Sequence, residues 1–216
     1  APDSVKNIGG VEEELEGLLR PEPNSTFLGM RVGLNAHYKS QRENPGFINK
    51  YLNRKFGEEP VYLSDVDSSR TMDLITNRLE NNGFFNAKVS SLTTTKKKLA
   101  SIKYSVELGQ PYTLERFELD SAAGTIYEGI AQSLKESTIT KGSRFSLDMM
   151  QQERERIDTY LKERGYYNFN ADFLIFEADT NQYNRRRFNL FLRLKKEVPQ
   201  KALLPYKLNK VYVNPD

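Results

Sequence analysis

The stretch Ile75-Thr-Asn-Arg-Leu-Glu-Asn-Asn-Gly-Phe-Phe-Asn86 returns later in the chain as Ile157-Asp-Thr-Tyr-Leu-Lys-Glu-Arg-Gly-Tyr-Tyr-Asn168. The isoleucine, the leucine, the glycine and the final asparagine keep the same spacing in both copies. Each pair lies 82 positions apart (165 − 83 for the glycines). An internal repeat that stays in register indicates two similar structural modules in one chain.

Each copy of the repeat predicts a helix that ends at a glycine and leads into a strand. Gly83 and Gly165 stand where the chain leaves the helix, so we expect both to adopt positive φ and assign them a structural role. Ser64 and Ser146 precede the two helices and are predicted to be their N-caps, because a serine oxygen can accept from the free amides of the first turn.

The segments around the repeat predict strands. Apolar residues alternate with polar ones over 102–108 and 188–194, and each stretch follows a shorter candidate strand, at 87–92 and 171–176, to form a hairpin. A further strand is predicted at 112–119, with a helix at 126–134 after it. The fold class is therefore α+β, in tandem modules that read strand-helix-helix-strand-strand, each with two helices packed on a three-stranded mixed sheet.

The repeat divides the chain into three parts. Residues 1–109 form a first module whose opening strand is missing or weak, with a helical insertion at about 21–63. Residues 110–197 form the second module. Residues 198–216 are read as a linker and the opening strand of a truncated third module, because 206–213 has the pattern of 112–119.

The insertion carries a short apolar helix that begins near Asn44-Pro45 and stops at Gly57. The expectation is that its apolar side packs on its own module. The alternative is a docking face, since Lys50, Arg54 and Lys55 are placed opposite that apolar side. The helix before the insertion is expected to end at Arg20-Pro21.

Composition excludes several classes of function. The chain has no cysteine, so it can form neither a disulfide framework nor a thiolate site. His37 is the only histidine, and the sequence has no phosphate-binding loop or metal-ligand cluster. A net charge of +3 is too small to indicate a nucleic-acid partner. We therefore expect a non-enzyme with no cofactor and no metal.

The repeated motifs resemble those of POTRA (polypeptide-transport-associated) domains of outer-membrane assembly factors of the BamA and TamA type. The resemblance rests on Gly142-x-x-Phe145-Ser146 at the helix entry and on the glycine-aromatic-aromatic exits at Gly83 and Gly165. Residues 20–29 and the insertion look like the TamA-like lipoprotein branch, whose lipidated cysteine and barrel this sequence does not contain.

The resemblance implies a function, a place and partners. It implies a non-catalytic scaffold on the periplasmic face of the outer membrane, in a parent protein anchored in that membrane. The implied partners are unfolded or partner polypeptides and other outer-membrane assembly components. Two alternatives share part of the pattern: the POTRA region of a dedicated secretion transporter or a division-type protein, and a small α/β nucleic-acid-binding module, for which Phe191 with Arg193 is the local hint.

The candidate binding site is the edge of each small sheet, where unpaired backbone groups can pair with an extended guest. It comprises Lys88, Val89 and Ser90 in the first module, and Asp172, Phe173 and Leu174 in the second.

Two basic triplets at the hairpin tips are candidate partner- or membrane-facing residues: Lys96, Lys97 and Lys98, and Arg185, Arg186 and Arg187. The favoured interpretation of these triplets is solubility and protection of the sheet edge.

Overall fold

A computed structural model of the chain describes residues 9–120, 122–181 and 186–213. Within these residues the helices and strands are, in chain order, α1 (Gly9–Glu16), α2 (Val32–Ser40), α3 (Phe47–Phe56), α4 (Ser68–Asn81), β1 (Lys88–Lys96), β2 (Leu99–Glu107), β3 (Thr113–Leu119), α5 (Thr125–Ser133), α6 (Leu147–Lys162), β4 (Leu174–Asp179) and β5 (Arg187–Leu194). No helix of this described part is long and apolar enough to cross a membrane.

The chain divides into two compact units. Unit 1 comprises Ala1–Arg78 and Lys88–Glu107, and unit 2 comprises Leu79–Ala87 and Leu108–Asp216. The last turn of α4 and the glycine turn after it therefore belong with unit 2, although the repeat places them in the first module. The predicted module boundaries at 109 and 197 stay a prediction, and so does the third module. Residues 205–213 form no strand in the structure, where the sequence predicts the opening strand of that module. A strand at this position would need a neighbouring strand to pair with.

Unit 2 has a three-stranded mixed sheet in the order β3-β5-β4. Strand β5 lies in the centre, parallel to β3 and antiparallel to β4. Helices α5 and α6 come between β3 and β4 in the chain. This is the predicted strand-helix-helix-strand-strand order with a three-stranded mixed sheet, so the predicted fold class is confirmed in this unit.

The core of unit 2 joins both helices to the sheet. Ile130 on α5, Ile157 and Leu161 on α6, and Leu174 and Leu192 on the strands are all fully buried in one cluster. Their spacing on the helices places them on one face, because residues three or four positions apart share a side of a helix. Burial of each such side chain contributes about 1.5–3 kcal/mol relative to exposure.

The predicted N-cap is found in the second copy of the repeat and not in the first. Ser146 caps α6, with its hydroxyl oxygen accepting from the amide of Met149 at 3.3 Å. The prediction for Ser64 is wrong, because that residue lies in a single 3₁₀ turn (Leu63–Asp65) before α4. Asp67 takes the role instead, accepting from the amide of Arg70 at 2.9 Å, and a carboxylate is at least as good a cap as a hydroxyl.

Both repeat glycines have the predicted conformation. Gly83 has φ of 86° and Gly165 has φ of 95°. In each case the following aromatic residue donates its amide back into the last turn of the helix: Phe84 to the carbonyl of Leu79, and Tyr166 to that of Leu161. The turn therefore needs a left-handed residue at its centre, which glycine adopts without a steric penalty.

Unit 1 contains a two-stranded sheet, β1-β2, together with α1, α2, α3 and most of α4. Among the described residues β2 pairs only with β1, so the expected central position of the 102–108 strand is wrong here. The reason is that no third strand pairs with β2 among the described residues of this unit. Alternation along β2 is as predicted, with Ile102, Tyr104 and Val106 half-buried and their neighbours exposed.

Several element ends differ from the sequence-based prediction. Helix α1 ends at Glu16, so Leu18 and Leu19 lie beyond it. Helix α3 begins after Gly46 rather than at Asn44-Pro45, but it stops at Gly57 as predicted. The sequence analysis did not identify α2. Residues 171–173 form a 3₁₀ turn and β4 starts only at Leu174, because the Asn170 side chain accepts from the amide of Asp172 and holds a local turn.

Candidate functional site

Strand β4 forms an edge of the unit 2 sheet, and its register shows which of its backbone groups are free. The amide of Lys195 donates to the carbonyl of Phe173 at 2.8 Å. In an antiparallel pair, hydrogen-bonded positions alternate with positions whose amide and carbonyl point away from the neighbouring strand. The backbone groups of the odd-numbered residues of β4 therefore bond to β5, and those of the even-numbered residues point away from it.

The hydrogen bonds on the other side of β5 support this register. The amide of Asp120 donates to the carbonyl of Leu192 at 2.9 Å, and the amide of Thr113 to that of Arg186 at 3.0 Å. Even-numbered residues of the β5 segment therefore bond toward β3, which leaves its odd-numbered residues for β4. The outward-facing backbone groups of β4 belong to Leu174, Phe176 and Ala178.

The two edges of this sheet are not equivalent. The start of β3 is partly covered, because the amide of Leu114 donates to Ser143, the amide of Gly142 donates to Leu114, and the amide of Phe145 donates to Tyr112. No backbone hydrogen bond of this kind reaches the outer edge of β4 within the described residues. Strand β4 is thus the open edge of the sheet.

The side chains of β4 divide between core and surface. Leu174 is fully buried and Phe176 packs against the core. The side chain of Ile175 is 39% exposed. The side chain of Ala178 is also exposed, and the amide of this residue faces the open edge. A guest strand could thus meet the backbone at Phe176 and Ala178 without displacing a core side chain.

Only one of the three residues predicted for this edge lies in strand β4. Asp172 and Phe173 lie in the 3₁₀ turn before β4, so they are not part of the strand. Leu174 is the first residue of β4, and only its backbone is directed outward. The sequence analysis did not single out Phe176 and Ala178, because a pattern of alternation does not state which of two neighbouring amides points away from the partner strand.

The register of β1 corrects the predicted edge in unit 1. Lys96 pairs with Leu99 across a two-residue turn. The pair that flanks such a turn is hydrogen-bonded, because the carbonyl of the first turn residue accepts from the amide of the fourth. Alternation from Lys96 directs the amides of Lys88 and Ser90 toward β2. Of the three predicted residues only Val89 has its backbone outward.

The lysine triplet forms the tip of the β1-β2 hairpin. Lys96 ends β1, and Lys97 and Lys98 make the turn, in which Lys97 has φ of 57°. All three are exposed. This placement agrees with the predicted hairpin tip, and whether the tip contacts a membrane or a partner stays a prediction.

The arginine triplet is less available. Arg185 lies outside the described residues, and Arg186 has φ of 51° just before β5. Arg187 donates to Glu115 on the neighbouring strand at 2.6 Å, and Lys141 bonds to the same carboxylate. The hydrogen bond from Lys141, with the positive charges of Lys141 and Arg187, lowers the pKa of Glu115 below its ordinary value. Arg187 is therefore engaged within its own unit.

The local hint of a nucleic-acid surface is also occupied. Arg193 lies over the ring of Phe191 at 6.0 Å, and its guanidinium makes ion pairs with Asp120 at 2.8 Å and with Glu177 at 2.6 Å. Two carboxylates beside one guanidinium disfavour a phosphate at that position.

A cavity of about 620 Å³ in unit 1 was not foreseen from the sequence. Its walls include Leu19, Pro21, Val61 and Ile102, which come from three distant segments of the chain. Because each segment contributes only a few residues, no single stretch carries a recognisable pattern.

His37, the one histidine, lies on α2 and its ring meets that of Tyr38 edge-on. Within the described part of the chain no three acidic, histidine or cysteine side chains are placed to hold a metal ion.

Three solved structures are similar to this chain. They are BamA from Haemophilus ducreyi lacking POTRA domains 1–3 (13% identity, TM-score 0.40, covering 82% of this chain), POTRA3–5 of BamA from Haemophilus influenzae (16%, 0.35, 88%) and POTRA1–3 of the periplasmic domain of Omp85 from Anabaena (11%, 0.33, 81%). The chain spans 28%, 57% and 61% of those three chains, less than two thirds of each. No protein-family model and no curated protein matches it.

Proposed function

We propose that this chain is the POTRA-like region of an outer-membrane protein assembly or translocation factor, in which it acts as a non-catalytic periplasmic scaffold. It receives unfolded or partner polypeptides by pairing an extended segment with the open edge of β4. Assignment to the TamA-like lipoprotein branch is part of this proposal.

The observation that carries the proposal is the strand order β3-β5-β4 with the outer edge of β4 unpaired. An edge strand offers a row of backbone donors and acceptors, and pairing through the backbone is largely independent of the guest's side chains. The opposite edge of the sheet, along β3, is partly covered by residues 142–145, so the described sheet offers one open template. A scaffold that must handle many different polypeptides needs this kind of tolerance.

The test is a single substitution at the open edge. Ala178→Pro removes an outward amide, and because that amide has no partner on β5 and the side chain is small and exposed, the sheet should keep its stability. Loss of one backbone hydrogen bond should weaken the binding of an extended peptide by about three- to tenfold. The peptide would be taken from a transmembrane strand of an outer-membrane barrel, and binding followed by amide chemical shifts in the isotope-labelled chain.

Two controls make the result specific. Ala178→Ser keeps the amide and should bind normally. Thr93→Pro removes an amide that faces outward like that of Val89, so it tests the outer edge of β1 in unit 1 in the same assay. Shift changes centred on Phe176 and Ala178, lost only with Ala178→Pro, are the expected result. Equal binding by Ala178→Pro and the unmodified chain, with both folded, would refute strand addition at β4.

A further inference from the structure

Helix α3 exposes its apolar side chains to an unusual degree. Phe47 is 84% exposed, Ile48 70%, Phe56 53%, Tyr51 43% and Leu52 38%. None of the ten residues of α3 is buried. The expectation that this apolar side packs on its own module is therefore wrong.

The least exposed side chains of α3 are polar. Asn49 and Asn53 are half-buried whereas the apolar residues around them are exposed. Helix α2 lies close to the end of α3, since a Cβ added to Gly33 would come within 2.7 Å of the carbonyl oxygen of Phe56. An ordinary surface helix turns its apolar stripe to the core. In α3 the arrangement is reversed, so the fold itself directs the apolar arc outward.

The charge on α3 and on the chain that leads to it is one-sided. Residues 30–56 contain six lysines and arginines and one glutamate, a net charge of +5, whereas the whole chain has +3. Lys50, Arg54 and Lys55 on α3 are exposed, and the helix has no carboxylate. Arg54 lies over the ring of Tyr51 at 5.9 Å, and Lys55 over that of Phe56 at 5.4 Å, so these two cations lie beside the aromatic side chains and not opposite them as expected.

A second exposed apolar element precedes α2 in the same unit. The backbones of Phe27 and Met30 exchange hydrogen bonds of 2.8 and 2.9 Å and close a tight turn. Leu28 at the tip of that turn is 82% exposed, and Phe27 is 67% exposed. This turn adds two exposed apolar side chains to the unit that carries α3.

We propose that α3 is a membrane-surface binding element that lies on an anionic phospholipid bilayer. A helix with exposed phenylalanine, isoleucine and leucine, flanked by lysine and arginine and free of carboxylates, has the chemistry of interfacial binding. The apolar side chains enter the headgroup boundary, and the long basic side chains reach the lipid phosphates. This proposal does not depend on strand addition at β4.

The experiment measures binding of the whole chain to vesicles by flotation. We expect binding to phosphatidylcholine vesicles that contain phosphatidylglycerol, little binding to phosphatidylcholine alone, and weaker binding at high salt. Phe47→Ser with Ile48→Ser should weaken binding by at least about tenfold, because two apolar side chains no longer enter the bilayer. Both residues are largely exposed, so folding should be unaffected.

Matched variants distinguish vesicle binding through α3 from binding through the overall charge or any exposed apolar side chain of the protein. Lys50→Glu, Arg54→Glu and Lys55→Glu together should abolish binding, whereas Lys96→Glu, Lys97→Glu and Lys98→Glu change the net charge equally and should leave most of it. Leu92→Ser with Leu99→Ser removes two exposed leucines from the hairpin and should have little effect.

Three results would overturn the proposal. They are the absence of vesicle binding, an equal loss with both charge-reversed triplets, and self-association of the chain that Phe47→Ser with Ile48→Ser abolishes. The last would show that a second copy covers α3.

Discussion

The carboxylate of Glu153 accepts two hydrogen bonds from the guanidinium of Arg156, at 2.9 and 2.8 Å, one turn further along α6. The Glu153 side chain is 1% exposed. Arg156 also donates to the carbonyl of Ser133 at the end of α5, at 2.9 Å. The hydrogen bond to Glu153 raises the pKa of Arg156 further above its already high ordinary value. One buried ion pair thus ties α6 to the end of α5.

Arg156→Ala should destabilise the chain by about 3 kcal/mol or more, because it leaves the Glu153 carboxylate buried without its partner. Lys162→Ala removes a partner from a more exposed pair on the same helix, with Asp158, and should cost less than about 1 kcal/mol. Urea unfolding of both variants gives the two values. Similar losses would contradict the buried role of the Glu153 pair.

Gly83→Ala and Gly165→Ala should each destabilise the chain by about 1 kcal/mol or more. Both have positive φ, and a Cβ would come within 2.9 Å of the Phe145 carbonyl oxygen at Gly83 and 2.6 Å of the Tyr206 carbonyl oxygen at Gly165. Gly142→Ala is the matched control, because Gly142 has φ of 89° with no atom near its Cβ position. Thermal unfolding should show a smaller loss of stability for Gly142→Ala than for the other two variants. An equal loss of stability would show that backbone strain, without the steric contact, accounts for the destabilisation.

Stability should fall in acid partly through Glu115. Its pKa in the folded chain lies below the ordinary value of 4.5, chiefly because Lys141 donates a hydrogen bond to it. The folded state then binds fewer protons than the unfolded state, so the contribution is present above pH 4.5 and is lost as the pH falls through the folded-state pKa. Carbon-detected NMR titration should show a higher pKa in Lys141→Met. An unchanged value would show that the contact is absent in solution.

Hydrogen exchange should alternate along β4. The amides of Ile175 and Glu177 bond to β5 and should be protected, whereas those of Phe176 and Ala178 face the open edge and should exchange faster. Amide exchange followed by NMR tests the register without a ligand. Slow exchange at Ala178 would show that something covers this edge.

The sequence analysis predicted elements best where a local pattern and a local cause coincide. The helix stops at Gly83 and Gly165 were correct because the need for positive φ arises within the last turn itself. The cap at Ser64 was wrong because Asp67 lies closer to the start of α4 and competes for the same amides. The candidate edge residues were displaced by one or more positions because strand register depends on hydrogen bonds to a partner strand.

The sequence by itself determined the repeat, the order of elements in unit 2 and the conformation of its glycine turns, since periodicity and backbone sterics act over a few residues. Only the tertiary structure decided which edge of the sheet is open, because that depends on residues 142–145 reaching β3 while nothing in the described chain pairs with the outer edge of β4. It also decided that α3 turns its apolar side outward. An amphipathic pattern shows that a helix has two faces, but the contacts of its neighbours determine which face remains exposed.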